Sequence, residues 1–144
     1  MTYVTGDIYE GHFDSDKREG WGVFRAGNGD IFEGEWKGGE MSGNGVLKYA
    51  NGDVYTGEWA ENKVHGTGTY TYADSSSYTG QWHYGIKHGS GVYHYSDGSV
   101  YSGEFKYDAM SGRGKLTSSC SIYEGIFTFA CTVYNKPQAI LLII

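Results

Sequence analysis

Several things are scarce in this 144-residue chain, and each scarcity removes a class of protein. Proline occurs once, at Pro137, and glycine has no three-residue period, so neither a proline-rich linker nor a collagen-like helix is encoded. The two cysteines, Cys120 and Cys131, are too few for a disulfide framework, and a reduced intracellular setting is the expectation. Basic residues number 11 against 17 acidic ones, for a net charge of −6, and they form no stripe. Phosphate backbones are held by such stripes, so nucleic acid is a poor partner; anionic membranes are disfavoured for the same reason. Long apolar runs are absent as well. Ile140-Leu141-Leu142-Ile143-Ile144 falls far short of the roughly 20 residues that span a bilayer. With Asp7 and Glu10 near the start, no secretory leader is expected.

What the chain has in excess is glycine (24) and tyrosine (14), and both recur on a fixed period. One phrase appears six times: Ile8-Tyr9-Glu10-Gly11-His12-Phe13, Ile31-Phe32-Glu33-Gly34-Glu35-Trp36, Val54-Tyr55-Thr56-Gly57-Glu58-Trp59, Ser77-Tyr78-Thr79-Gly80-Gln81-Trp82, Val100-Tyr101-Ser102-Gly103-Glu104-Phe105 and Ile122-Tyr123-Glu124-Gly125-Ile126-Phe127. Its glycine returns every 23 residues from Gly11 to Gly103, then after 22 at Gly125. A period of this size marks stacked supersecondary units, none of which can bury its apolar face alone.

Within the phrase, Tyr55, Gly57 and Trp59 alternate with Val54, Thr56 and Glu58, the period of a β-strand. A second glycine pair comes after each of the first five phrases, as in Gly20 and Gly22 or Gly66 and Gly68. It opens another alternating run, such as Gly68-Thr69-Tyr70-Thr71-Tyr72. Asn28-Gly29, Asn51-Gly52 and Asp97-Gly98 suit two-residue turns with positive φ; Asp74-Ser75 is a weaker version, and Ser118-Ser119-Cys120 replaces the signal in the fifth copy. The spacing predicts strand, short loop, strand, tight turn, repeated. No 3.6-residue period occurs before the tail. The fold class is all-β: an elongated single-layer solenoid of tandem β-hairpins in a twisted open sheet, about 10 Å per two-strand unit.

Strand parity sorts the side chains onto two unlike faces. The first carries Tyr9, Phe13, Phe32, Trp36, Leu47, Tyr55, Trp59, Tyr70, Tyr78, Trp82, Tyr93, Tyr101 and Phe105, with Phe24 and Leu116, around rows of bare glycine backbone. These rings and glycines predict an aromatic groove able to receive a partner's helix or peptide. Packing of the rings on one another and on the glycines, as a structural spine, is the alternative for each ring. The second face carries Glu10, Glu33, Glu35, Glu58 and Glu104 with Thr56, Thr79, Ser102, Arg25, Lys48 and His94, and reads as the solvent side.

No catalytic constellation can be assembled, since repeat-equivalent residues stay a full unit apart. His65 and His88 are such a pair, at roughly 10 Å of separation, too far to share an ion bound at about 2 Å. They are read as parts of the repeat, with no metal and no cofactor expected. Gly20-Trp21-Gly22 lacks the lysine and the strand–helix setting of a phosphate loop.

Tyr-x-Gly-x-Trp, then Gly-x-Gly, then Asp/Asn-Gly at a 23-residue period resembles the MORN repeat (membrane occupation and recognition nexus), most fully over Val54–Gly68. The resemblance covers residues 8–127. It departs at Phe13 and Phe105, which stand where tryptophan is usual, and after Phe127, where the loop and glycine pair fail to appear. The resemblance implies a non-enzymatic scaffold or adaptor in a cytoskeletal or ciliary (flagellar) assembly, binding a partner protein's helix or peptide along the groove. It also implies cytoplasmic, cytoskeleton-associated placement and pairing of two copies through an array end. A phosphoinositide-binding membrane module is the second reading.

The expected organisation is a half-repeat at 1–7, repeats starting near 8, 31, 54, 77 and 100, a partial repeat near 122, and a tail over 128–144. Gly6-Asp7 aligns with Gly29-Asp30, and Tyr3 with Tyr49, which places the start of the chain on the second strand of a repeat. The aliphatic tail is read as an end strand capping the last hairpin, or as a segment that packs on a partner or a second copy.

Overall fold

The computed structural model describes residues 6–128. The half-repeat expected over 1–7 therefore lies outside the described residues except for Gly6 and Asp7, and so does the tail except for Thr128. The described chain is all-β. Its strands are β1 (Ile8–Asp14), β2 (Lys17–Arg25), β3 (Ile31–Lys37), β4 (Glu40–Lys48), β5 (Val54–Ala60), β6 (Lys63–Thr71), β7 (Ser77–His83), β8 (Ile86–His94), β9 (Val100–Lys106), β10 (Ala109–Thr117) and β11 (Ile122–Phe127). They form one 11-stranded antiparallel sheet in strict sequence order, each strand paired with the one before it.

The two kinds of turn are the reverse of the sequence expectation. The tight two-residue turn joins the two strands of one repeat, where a short loop was expected. Its central residues have positive φ, as in Glu61 (51°) and Asn62 (64°), or Tyr107 (51°) and Asp108 (65°). The Asn-Gly signal marks the longer connection between repeats. There Tyr49 N–H donates to Asp53 O (2.9 Å) and Gly52 N–H to Tyr49 O (3.0 Å), leaving Ala50-Asn51-Gly52 as a three-residue loop with Gly52 at φ +95°. A left-handed glycine suits either hairpin type, so the dipeptide alone could not tell them apart.

Each within-repeat hairpin also contains a bulge, where the pairing shifts between Gly57 and Trp59 and its equivalents. The first glycine of each pair forms it: Gly66 sits at φ +62°. Across the bulge the Glu58 carboxylate accepts hydrogen bonds from Thr67 N–H (2.9 Å) and Thr67 Oγ1 (2.5 Å). Glu35 with Asn44, Gln81 with Ser90 and Glu104 with Arg113 repeat the backbone contact. Of the acids expected to be plain solvent-facing charges, Glu35, Glu58 and Glu104 are thus bulge caps. The Thr67 side chain, then its N–H, then nearby His65 hold the Glu58 carboxyl below its ordinary range against slight burial.

Repeats are stitched by their loops. Asp30 Oδ1 accepts Ala50 N–H and Asp53 Oδ1 accepts Ala73 N–H, both at 2.8 Å, and Asp7 Oδ1 takes Gly27 N–H in the same way at 2.7 Å. Gly6 at φ +84° and Gly29 at φ +98° both have left-handed backbone, one residue before the aspartates that make these contacts.

Candidate functional site

A single-layer sheet has no second layer to cover its apolar face, so the aromatic residues must cover one another. The second glycine of each pair makes this possible. Gly57 and Gly68 face each other across β5 and β6, and a Cβ added at Gly68 would collide with the Tyr55 ring. Tyr55 lies over this bare backbone and donates its hydroxyl to Glu58 O at 3.0 Å. Tyr9, Tyr78 and Tyr101 make the equivalent bond to His12, Gln81 and Glu104. The tryptophan of the next repeat then closes over the ring from the far side. Trp82 meets Tyr55 edge-on at 5.6 Å while its indole N–H donates to Gly68 O at 3.2 Å.

The pattern runs unbroken through the sheet. Phe13, Tyr9, Trp36, Phe32, Trp59, Tyr55, Trp82, Tyr78, Phe105, Tyr101 and Phe127 succeed one another in edge-to-face contact, every successive pair 4.8–5.6 Å apart. Each such pair adds about 0.5–1.5 kcal/mol beyond the area it buries. Over the large rings runs a further row, Arg18, Met41, Val64, Lys87 and Met110, set opposite Phe13, Trp36, Trp59, Trp82 and Phe105. Two of its members are cations held by aromatic faces. The Arg18 guanidinium stands 4.0 Å from the Trp36 ring centre, and Lys87 Nζ lies 5.3 Å from both Tyr72 and Tyr93. Burial lowers the Lys87 pKa, and the nearby Asp108 charge partly restores it.

The expected groove is thereby divided in two. Tyr9, Phe32, Tyr55, Tyr78 and Tyr101 are 0–1% exposed, and Trp36, Trp59, Trp82 and Phe105 are 3–7%. These rings fill the glycine floor that sequence alone had left open, so the trough expected over them is corrected: they form a sealed spine. A partner could touch them only if the sheet opened. Phe13, the first ring of the spine, is half-buried, and Leu47, Tyr70 and Tyr93 are half-buried and border the spine in a stripe with Phe24, Tyr49, Tyr95 and Leu116. Within it Tyr49 meets Tyr70 (5.7 Å), Tyr70 meets Tyr72 (4.6 Å), Tyr72 meets Tyr93 (6.0 Å) and Tyr93 meets Tyr95 (4.6 Å). No other element of the described chain covers it.

The stripe carries polar handles that the parity argument missed. Tyr70 donates its hydroxyl to Asp53 Oδ2 at 2.7 Å, Lys87 Nζ donates to the Tyr72 hydroxyl at 2.7 Å, and Ser76 Oγ lies 3.3 Å from the Tyr93 hydroxyl. Burial, followed by the neighbouring acids Asp30 and Asp53, raises the Tyr49 pKa; burial and then the Asp53 hydrogen bond raise that of Tyr70. The Tyr49 and Tyr70 phenols therefore stay protonated. On the opposite face Thr69 Oγ1 and Thr79 Oγ1 lie 2.9 Å apart, and Trp21 is 56% exposed with no ring of the described residues beside it. Its partner across the sheet is Glu35, so it cannot join the spine.

A family model described as the MORN repeat matches residues 9–31, 32–54, 55–77, 78–100 and 101–119 in succession. No curated protein matches the chain in sequence. Among solved structures, one similar chain is the SAS-4 (dCPAP) TCP domain of Drosophila melanogaster, in complex with a proline-rich motif of Ana2 (dSTIL). It is 14% identical, the match covers 83% of this chain and 89% of that one, and the TM-score is 0.25. At that score the two backbones do not superpose as wholes.

Proposed function

The chain belongs to the MORN-repeat family, and from that premise we propose that it is a non-enzymatic scaffold that holds a segment of another protein against the half-buried tyrosine stripe. The segment is a helix or an extended peptide, and the setting a cytoplasmic cytoskeletal or ciliary assembly. The observation that carries this reading is the division of the aromatic face. Spine rings need nothing further to be buried, whereas Leu47, Tyr49, Tyr70, Tyr93 and Tyr95 keep accessible area along several repeats. Tyrosine suits such a surface, offering a large apolar ring, few rotatable bonds and one hydroxyl. Membrane lipid is the weaker reading, because a net charge of −6 repels anionic headgroups.

The test is site-specific photo-crosslinking in cells of the native organism, with the probe at position 70 or 93 and, as a control, at Thr69 or Val92 on the opposite face. Adducts to one protein from the stripe positions alone support the reading. Equal labelling from both faces removes it, and salt-dependent sedimentation with phosphoinositide liposomes would transfer the case to lipid.

A further inference from the structure

The sequence sets His65 and His88 as repeat-equivalents a full unit apart. A third imidazole lies between them. Gly66 pairs with Trp82 across β6 and β7, so the next residues outward, His65 and His83, stand opposite each other. On the other side Gln81 pairs with His88, which puts His88 diagonal to His83. The ring centres are 5.6 Å apart for His65 and His83 and 6.0 Å for His83 and His88. With metal–nitrogen bonds of about 2.0–2.1 Å, two imidazoles bound to one ion have centres roughly 4.5–6.5 Å apart, according to the angle between them.

From this juxtaposition we propose that His65, His83 and His88 form a surface site for a borderline divalent cation, binding copper(II) most tightly, with His83 as the shared ligand. Imidazole is the donor such ions prefer, and copper(II) heads the first-row affinity order. Among the described residues no three imidazole, thiolate or carboxylate side chains meet at one point. The ion is therefore held by two imidazoles at a time, His83 with one neighbour, and completes its shell with water. His83 and His88 are exposed, so they can turn toward an ion without disturbing packing. Tyr84 lies against both His65 (4.5 Å) and His83 (5.1 Å) and limits where those rings can go. The Glu58 carboxylate interacts with His65 and adds negative charge beside the site.

The cluster breaks the repeat. Positions equivalent to His83 hold Asp14, Lys37, Ala60 and Lys106, and those equivalent to His65 and His88 hold Glu19, Ser42 and Ser111. Imidazoles face one another only at His65 of the third repeat and His83 and His88 of the fourth. Neither the stripe nor the spine needs these residues, so the site is independent of the proposed scaffold function.

Copper(II) alone, titrated into the full chain and followed by calorimetry and electron paramagnetic resonance, tests the proposal. We expect one tightly held ion per chain with nitrogen hyperfine structure from two imidazoles. His83→Ala and the size-preserving His83→Gln should each weaken binding by at least the roughly tenfold that loss of even a ligand's supporting partner costs. His65→Ala and His88→Ala should cost less, and the double variant His12→Ala/His94→Ala nothing. Wild-type affinity in either folded His83 variant overturns the proposal, as does a spectrum without imidazole nitrogen.

Discussion

The same six-residue phrase has opposite fates in the middle of the array and at β11. Tyr101 in β9 is 0% exposed; Tyr123, at the equivalent position of β11, is 46% exposed. Both sit two residues before a glycine that pairs with Gly114. The difference lies in the strands that come after each. Tyr101 has the Gly103–Gly114 floor beneath it and the Phe127 ring beyond, whereas no later strand among the described residues brings a ring to Tyr123. The cap residue changes in step, since Ile126 stands where Glu35, Glu58, Gln81 and Glu104 hold the bulge, and it is 54% exposed. Burial in this fold is therefore conferred by the next repeat. A phrase with no successor among the described residues folds as a strand but leaves its tyrosine about half exposed.

The largest test of this contrast is alkaline. Burial raises the folded-state pKa of Tyr55, Tyr70, Tyr72, Tyr78 and Tyr95 well above the ordinary phenol value, and that of Tyr101 to about 12. A raised folded pKa gives stability that is complete below the unfolded value and lost as pH climbs through the folded one. The array should hold up to about pH 10 and then unfold cooperatively, with far-UV dichroism and phenolate absorbance changing together. Phenolate absorbance that saturates near pH 10 with the dichroism intact would contradict the sealing of the spine.

Next in size is a matched pair of truncations. Tyr55→Ala should cost about 3–5 kcal/mol, as for other large buried aromatics, whereas Tyr123→Ala should stay within about 0.5 kcal/mol in urea unfolding. Comparable losses would mean that the end is sealed like the middle. Gly68→Ala comes third. Its methyl has no room beside the Tyr55 ring, and a cost of about 1–3 kcal/mol is expected from the forced shift. The smallest effect belongs to the caps: Glu58→Ala should lower stability by about 1 kcal/mol through the loss of its two hydrogen bonds from Thr67. Ile126→Glu, with no bulge among the described residues to cap, should leave the melting temperature unchanged.

Much of this was legible in the sequence. The period, the all-β class, the alternation and the membership of the aromatic face come from spacing alone, because a two-residue side-chain period assigns faces without knowledge of contacts. What spacing cannot express is depth. Tyr55 and Tyr70 share a face and both meet Trp82, yet only Tyr55 lies on a glycine floor, so one is sealed and the other is not. The turns were misplaced because Asn-Gly fits two hairpin types, while Glu61-Asn62 adopts positive φ without any glycine. His83 was overlooked because comparing equivalent positions brings together residues one unit apart and hides those that face each other across a unit boundary.

The most direct measurement is tyrosine accessibility in the intact fold, by radical footprinting with mass spectrometric readout at single residues. Tyr9, Tyr55, Tyr78 and Tyr101 should resist modification, Tyr70 and Tyr93 should react slowly, and Tyr107 and Tyr123 should react fast. Labelling of Tyr55 or Tyr78 at the rate of Tyr123, in protein shown to be folded, would contradict a self-sealed spine bordered by an open stripe.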